Sequence, residues 1–243
     1  MRLTLTALLL AAGVSLSAQA PDRSKPPVPG PAPTLTLPRI QKQQLSNGLP
    51  VWLVEQHEVP VAQVDLVVLS GTADDPAGKF GVASLTASML MEGAGTKSSL
   101  ELADAVDFLG AELNAGSTSD LSTVRLHSPV ARLADALPLM ADVALRPTFA
   151  SADLDRLRQQ RLTSVVQSRD DPNAISALAF ARVLYGTAHR FGTATIGTAQ
   201  TLRTFTPEDL RAYYTSAFRP DNATIVVVGD VTTAAIMPLL EKS

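Results

Sequence analysis

Residues 81–97 read GVASLTASMLMEGAGTK, an apolar helical stretch enclosed by glycines. Asp74-Asp75-Pro76 opens the stretch, which runs through Met91 and stops at Gly93. Leu85, Met89 and Leu90 recur at helical spacing and are expected to face a core. The spacing and flanking glycines suit a helix that presents metal ligands one turn apart. The three places where such ligands would stand hold Ser84, Ala87 and Ser88 instead.

On either side of this helix the pattern switches to strands. LSNGLPVWLVEQ has a turn at Asn47-Gly48 followed by the β-prone stretch Val51 to Val54, and VAQVDLVVLSG alternates as a second strand. The two are expected to form a hairpin or an adjacent antiparallel pair. Downstream, Ser98 with Glu101 three residues later reads as a capping box, opening a second helix that ends at Gly110. AELNAGST and LSTVRLHS then form a strand pair. Helices follow over about residues 130–145, 152–168 and 173–185, and another begins at Thr206-Pro207-Glu208 with an N-cap and a proline at its first position. NATIVVVGD is an apolar strand, which places it either between two covering layers or in the middle of a sheet. Strands, then helices, then a strand predict an α+β domain, helices packed on a mostly antiparallel sheet.

Composition narrows the function classes. The chain has 243 residues, a net charge of −3 and 46% hydrophobic residues, enough to bury a substantial core. No block or stripe of basic residues marks a nucleic-acid surface, so nucleic acid is set aside as a partner. Cysteine is absent, which removes disulfides, thiolate catalysis and cysteine zinc sites together. The first 20 residues, MRLTLTALLLAAGVSLSAQA, have one early Arg2, an apolar run and Ala18-Gln19-Ala20, the layout of a cleaved secretory signal too short for a stable membrane span. Residues 21–38 are a proline-rich linker that favours extended chain, and residues 39–243 are the expected domain. The expected location is therefore outside the cytoplasm, periplasmic or extracellular.

Five blocks bring a family into view: LSNGLPVWLVEQHEVP, GVASLTASMLMEGAGTKS, LGAELNAGST, LYGTAHRFGTATIG and TPEDLRAYYTSAFRPDNATIVVVGDV. Their order and spacing resemble the insulinase or pitrilysin-type metallopeptidases, which include the mitochondrial processing peptidases. The resemblance runs from about Gln44 to the end of the chain. Active members carry an inverted zinc motif, H-x-x-E-H, on a helix, with a further Glu downstream. Two ligands at i and i+4 share one helical face and reach one zinc, while the Glu beside them deprotonates water. Aligned on Gly81, those positions fall on Ser84, Ala87 and Ser88, and the distal Glu falls on Ser164, with Thr163 as the alternative register.

The resemblance implies a catalytically degenerate N-terminal domain with no catalytic residues and no metal ligands, zinc being expected only in a partner. It also implies pairing with a zinc-bearing homologous subunit around unfolded peptides, in a chamber made of two-domain subunits whose second domain is absent here. Leu113-Asn114-Ala115-Gly116 matches the family's edge strand for docking substrate. Two other readings stay open: an active zinc endopeptidase with unrecognised ligands, and a stand-alone peptide-binding module. His57, His127 and His189 are the only histidines, and no two are spaced to share a face. Asp170-Asp171-Pro172 reads as an exposed turn. A serine nucleophile at Ser84 or Ser88 would need a base that cannot be assigned.

Overall fold

The strand that completes the sheet comes last in the chain. A computed structural model describes residues 30, 34 and 38–243, so the expected signal peptide and nearly all of the linker lie outside the described residues. The main sheet comprises β1 (Gln41–Gln44), β2 (Pro50–Glu55), β3 (Val61–Val68), β6 (Glu112–Ser117), β7 (Ser122–Pro129) and β8 (Ala223–Gly229), in the order β1-β2-β8-β3-β7-β6. A two-residue pair, β4 (Gly93–Ala94) and β5 (Lys97–Ser98), stands apart. The helices are α1 (Val82–Met89), α2 (Ser99–Phe108), α3 (Leu133–Leu145), α4 (Ser151–Gln167), α5 (Pro172–Tyr185), α6 (Ala199–Leu202), α7 (Pro207–Ala217) and α8 (Thr233–Lys242). Residues Pro38–Ser243 form one compact unit of the expected α+β class.

The expected β2–β3 neighbourhood is not what forms. β8 lies between them, parallel to β2 with Leu53 opposite Val227, and antiparallel to β3 with Val64 opposite Val227. The five residues that join β2 to β3 reach about 16 Å extended, which leaves room for one strand at about 4.8 Å per step. Gly229 permits the fit: a Cβ there would stand 2.3 Å from the Val61 carbonyl oxygen. The central position expected for 222–230 is therefore found, but with one face covered. Ala223, Ile225 and Val227 are buried, while Val228 on the opposite face is 40% exposed.

One row across the covered face is Leu53, Val227, Val64, Leu126 and Leu113, all buried. α1 packs there through Leu85 and Met89, which are fully buried, and α3 packs through Leu133, Leu137, Met140 and Val143. The open face carries Trp52, Val226, Asp65, Arg125 and Asn114 in the neighbouring row, with Arg125 Nε donating to Asp65 at 2.9 Å.

Local signals hold for several helix starts. The Ser98–Glu101 capping box opens α2, Thr206 caps α7 ahead of Pro207, and Asp171 caps α5 by accepting from the Asn173 N–H. α1 begins later than expected, at Val82, because Asp74-Asp75-Pro76 form a turn instead of its first residues. The carboxylate of Asp75 reaches forward and accepts from the Gly81 N–H at 2.6 Å and the Ala83 N–H at 3.0 Å. Gly81 adopts φ +96°, and a Cβ there would stand 2.6 Å from the Gly197 Cα, so two backbones cross in contact at the head of α1. Thr201 Oγ1 donates to the Phe80 carbonyl at 2.8 Å beside that crossing.

Asp75 is 2% exposed, and burial pushes its carboxyl up to about 6 against the pull of its two N–H donors. A folded-state pKa above the unfolded one favours the fold at low pH, and this contribution is lost as pH rises from about 4 to about 6. Replacing Asp75 with Ala strands two buried N–H groups and should cost about 2–4 kcal/mol in urea unfolding. In Asp75→Asn, the fall in stability between pH 4 and pH 6 should be shallower than in the unsubstituted chain.

Candidate functional site

α1 turns one face to the core and another to α4. Ser84 and Ser88 lie half-buried on the second face, and Ala87 is buried between them. The Ser88 hydroxyl donates to the Ser84 carbonyl at 3.2 Å and accepts from Arg161 at 2.7 Å. The same Arg161 nitrogen, Nη2, donates to the Ser84 carbonyl at 2.8 Å. A guanidinium therefore rests on the i, i+4 face where two imidazoles would stand.

The distal positions point elsewhere. Ser164 and Thr163 are exposed, and their hydroxyls donate to Gln160 and Gln159 carbonyls of their own helix, at 3.1 and 3.0 Å. The side chain that α4 does send across to α1 is Arg161, one turn before Ser164. Reading the sequence for missing ligands passes over it. The available signal was periodicity: Leu154, Leu157, Arg161 and Val165 make one stripe along a mostly polar helix, and a charge in such a stripe needs a reason.

Arg161 has no carboxylate partner among the described residues, whereas its neighbours Arg156 and Arg158 are paired to Glu92 and Asp155. Burial without a counter-ion pushes its pKa down to about 10, which still leaves it charged at neutral pH. Its Nη1 is shut off from water with no acceptor.

These side chains do not fit a zinc ion. Two hydroxyls and a methyl offer no imidazole, thiolate or carboxylate, and the face carries a positive charge already. Among the described residues no group of three or more His, Cys, Asp or Glu side chains is placed to hold a metal ion. The histidines are dispersed. His57 is an exposed residue between Asp230, 2.6 Å from Nδ1, and Glu55, 3.5 Å from Nε2, and the Asp230 contact chiefly raises its pKa. His127 lies within β7, and His189 accepts from the Phe191 N–H. Neither serine hydroxyl is hydrogen-bonded to an imidazole or a carboxylate, so no activated nucleophile is assembled.

Leu113-Asn114-Ala115-Gly116 lie in β6, which is an edge strand: β7 covers one side, and among the described residues no strand pairs with the other. Beside it runs a cleft of about 570 Å³ lined by the apolar Leu102, Val106 and Leu113 and the acidic Glu92, Asp107 and Glu112, of which Glu92 is paired to Arg156.

A sheet with helices on one face, a glycine-bounded helix laid on it and an edge strand beside that helix make up a metallopeptidase-type domain. The chain belongs to the insulinase family: the model described as Insulinase (Peptidase family M16) matches residues 51–197, and that of the Peptidase M16 inactive domain matches residues 204–243. Curated relatives include an uncharacterized zinc protease of Mycobacterium tuberculosis, 27% identical over 202 residues, covering 83% of this chain and 46% of the relative. The zinc protease PqqE of Helicobacter pylori is 25% identical over 214 residues, covering 85% of this chain and 47% of its own. The chain thus spans about half the length of the curated relatives it matches. Among solved structures, a peptidase M16 inactive domain from Pseudomonas fluorescens superposes with a TM-score of 0.79 at 29% identity, over 84% of this chain and 50% of that one. The periplasmic protease PqqL from Escherichia coli shares the fold, with a TM-score of 0.76 at 21% identity over 84% of this chain and 23% of that one.

Proposed function

We propose that this domain is a catalytically silent insulinase-type unit that holds extended peptide and pairs with a zinc-bearing homologue. The observation that carries the reading is the Arg161 guanidinium seated on Ser84 and Ser88, on the face where a zinc and its activated water would be needed. A general base is missing too, since Ala87 can move no proton. The purified chain should retain less than about a tenth of an equivalent of zinc after dialysis and leave unfolded peptides uncut. One tightly held zinc per chain would favour the active-endopeptidase alternative.

Peptide holding is supported by the open edge of β6 and the cleft beside it. An added strand gains main-chain hydrogen bonds without any metal, and the apolar and acidic side chains that line the cleft suit a peptide with apolar or basic side chains. Successive N–H groups along a strand point to opposite sides, so one of Asn114 and Ala115 donates toward β7 and the other toward the open edge. Proline at the outward one should weaken binding of an extended peptide about tenfold or more with no loss of thermal stability. Proline at the inward one should lower the melting temperature. If neither variant changes peptide affinity in calorimetric titration, β6 is not the holding strand.

Pairing is supported by α5, which has no buried residue although it is rich in apolar ones. Phe180 and Val183 are 70% and 88% exposed, with Ile175 and Leu184 also exposed on the same helix. A helix this apolar is ordinarily covered, and interface centres are apolar in the same way. Export follows from the N-terminal signal-like segment, and the periplasmic relative PqqL is consistent with it. Among the described residues no helix is long and apolar enough to cross a membrane. Co-expression with a zinc-bearing homologue followed by size exclusion should give a complex, and Phe180→Ser with Val183→Ser should weaken it at least about tenfold while the circular dichroism spectrum stays unchanged. Elution of both proteins apart would favour the stand-alone binding module.

A further inference from the structure

We infer that Arg161 replaces the metal of the ligand helix: it is a tethered cation that ties α4 to α1 and excludes a divalent ion from the face it occupies. The inference rests on reading α1 as a degenerate ligand helix. In a zinc-bearing member the ion would bind residues of α1 and the distal carboxylate together, joining the same two helices that Arg161 joins here by donating to the Ser84 carbonyl and the Ser88 hydroxyl.

Three observations bear on this. One guanidinium nitrogen, Nη2, reaches both the Ser88 hydroxyl and the Ser84 backbone carbonyl one turn before it, on the face that would carry the ligands. No carboxylate among the described residues pairs with it, so its charge is not neutralised locally. The positions that would supply negative charge to the site, Ala87 and Ser164, supply none. An acidic side chain at the buried Ala87 position would have stood between the two serines beside Arg161 and paired with it.

Repulsion from a fixed cation distinguishes this account from simple loss of ligands. Two histidines restored at i and i+4 would coordinate a divalent ion on a bare helix face. Beside a guanidinium within about 5 Å, at an effective dielectric of about 20, repulsion of a dication weakens that binding by well over a hundredfold. Ligand loss alone predicts that the two histidines suffice.

The experiment titrates the full chain and its variants with Zn²⁺ by calorimetry and with Co²⁺ by visible absorption. S84H/S88H should bind both ions weakly, and S84H/S88H/R161Q should bind them at least about a hundredfold more tightly. S84H/S88H/R161K keeps the charge and should stay within a few-fold of S84H/S88H. R161Q alone should lower the melting temperature by several degrees, because the tie between α1 and α4 is cut, yet gain no metal. Equal affinity in S84H/S88H and S84H/S88H/R161Q overturns the inference, as does tight binding by the R161K variant. Should the histidine pair fold poorly, S88H with and without R161Q gives the same comparison through Co²⁺ absorption. Stoichiometric zinc on the unsubstituted chain would overturn the silent-site reading instead, a result the R161Q comparison cannot produce.

Discussion

The whole sheet depends on one insertion, that of β8 between β2 and β3. Without residues 223–229 the β1–β2 hairpin has nothing to pair with, and β3 keeps β7 and β6 on one side only. The strand is added from the far end of the chain, after the seven described helices α1 to α7, with Gly229 giving the backbone room beside Val61 and Ala62. The pairing separates residues by about 160 positions or more, a closure whose entropy must be offset by burial. That burial is the row from Leu53 to Leu113, on which α1 and α3 lie. α1 itself lies on β6 and β7 and against α7, the helix that leads into β8, so the head of the chain and its far end meet at this helix.

On that support α1 is held twice over. Its head is fixed by the Asp75 carboxylate and by the crossing of Gly81 with Gly197, and its flank by Arg161. A buried carboxylate and a buried guanidinium are both costly, and each is retained because backbone or hydroxyl groups of α1 meet it. They do not pair with each other. Asp75 satisfies N–H groups at the positive end of the helix, whereas Arg161 satisfies a carbonyl and a hydroxyl along its side. The head and the flank of this helix are thus each met by a charged side chain of the chain itself, while the Arg161 charge has no carboxylate partner among the described residues.

What was legible in the sequence follows the range of the interactions. Capping at Ser98 and Thr206, the turn at Asn47-Gly48, and the strand pair containing Leu113 to Gly116 rest on residues close in sequence, and they stand where their patterns put them. The family resemblance was carried by whole blocks and extended the reading to the fold class. The later start of α1 was not legible, since Asp75 caps from six and eight residues away across a turn that itself imitates a helix start. Nor was the β8 insertion, because β2, β3 and β8 are all apolar strands and periodicity does not choose neighbours among them. At the site, the absence of ligands at Ser84, Ala87 and Ser88 was plain from residue identity, but Arg161 is separated from Ser88 by more than seventy positions, and only the reach of its long side chain from α4 to α1 brings them together.

The proposed loss of chemistry and the proposed peptide-holding edge are compatible because the two depend on different faces of α1. Leu85 and Met89 point into the core beneath β6 and β7, while Ser84 and Ser88 point to α4. Exchanging the second pair for small hydroxyl residues leaves the first pair and its packing untouched. An uncovered edge strand is normally a hazard that proteins blunt with charge, proline or a covering loop. Here Leu113 to Gly116 carry no charge and no proline, and the one acidic residue of the strand, Glu112, stands at its first position beside the cleft. An edge kept pairable beside a cleft, on a domain whose ligand face is closed by its own arginine, is the arrangement expected when peptide capture is the property retained and hydrolysis is left to another chain.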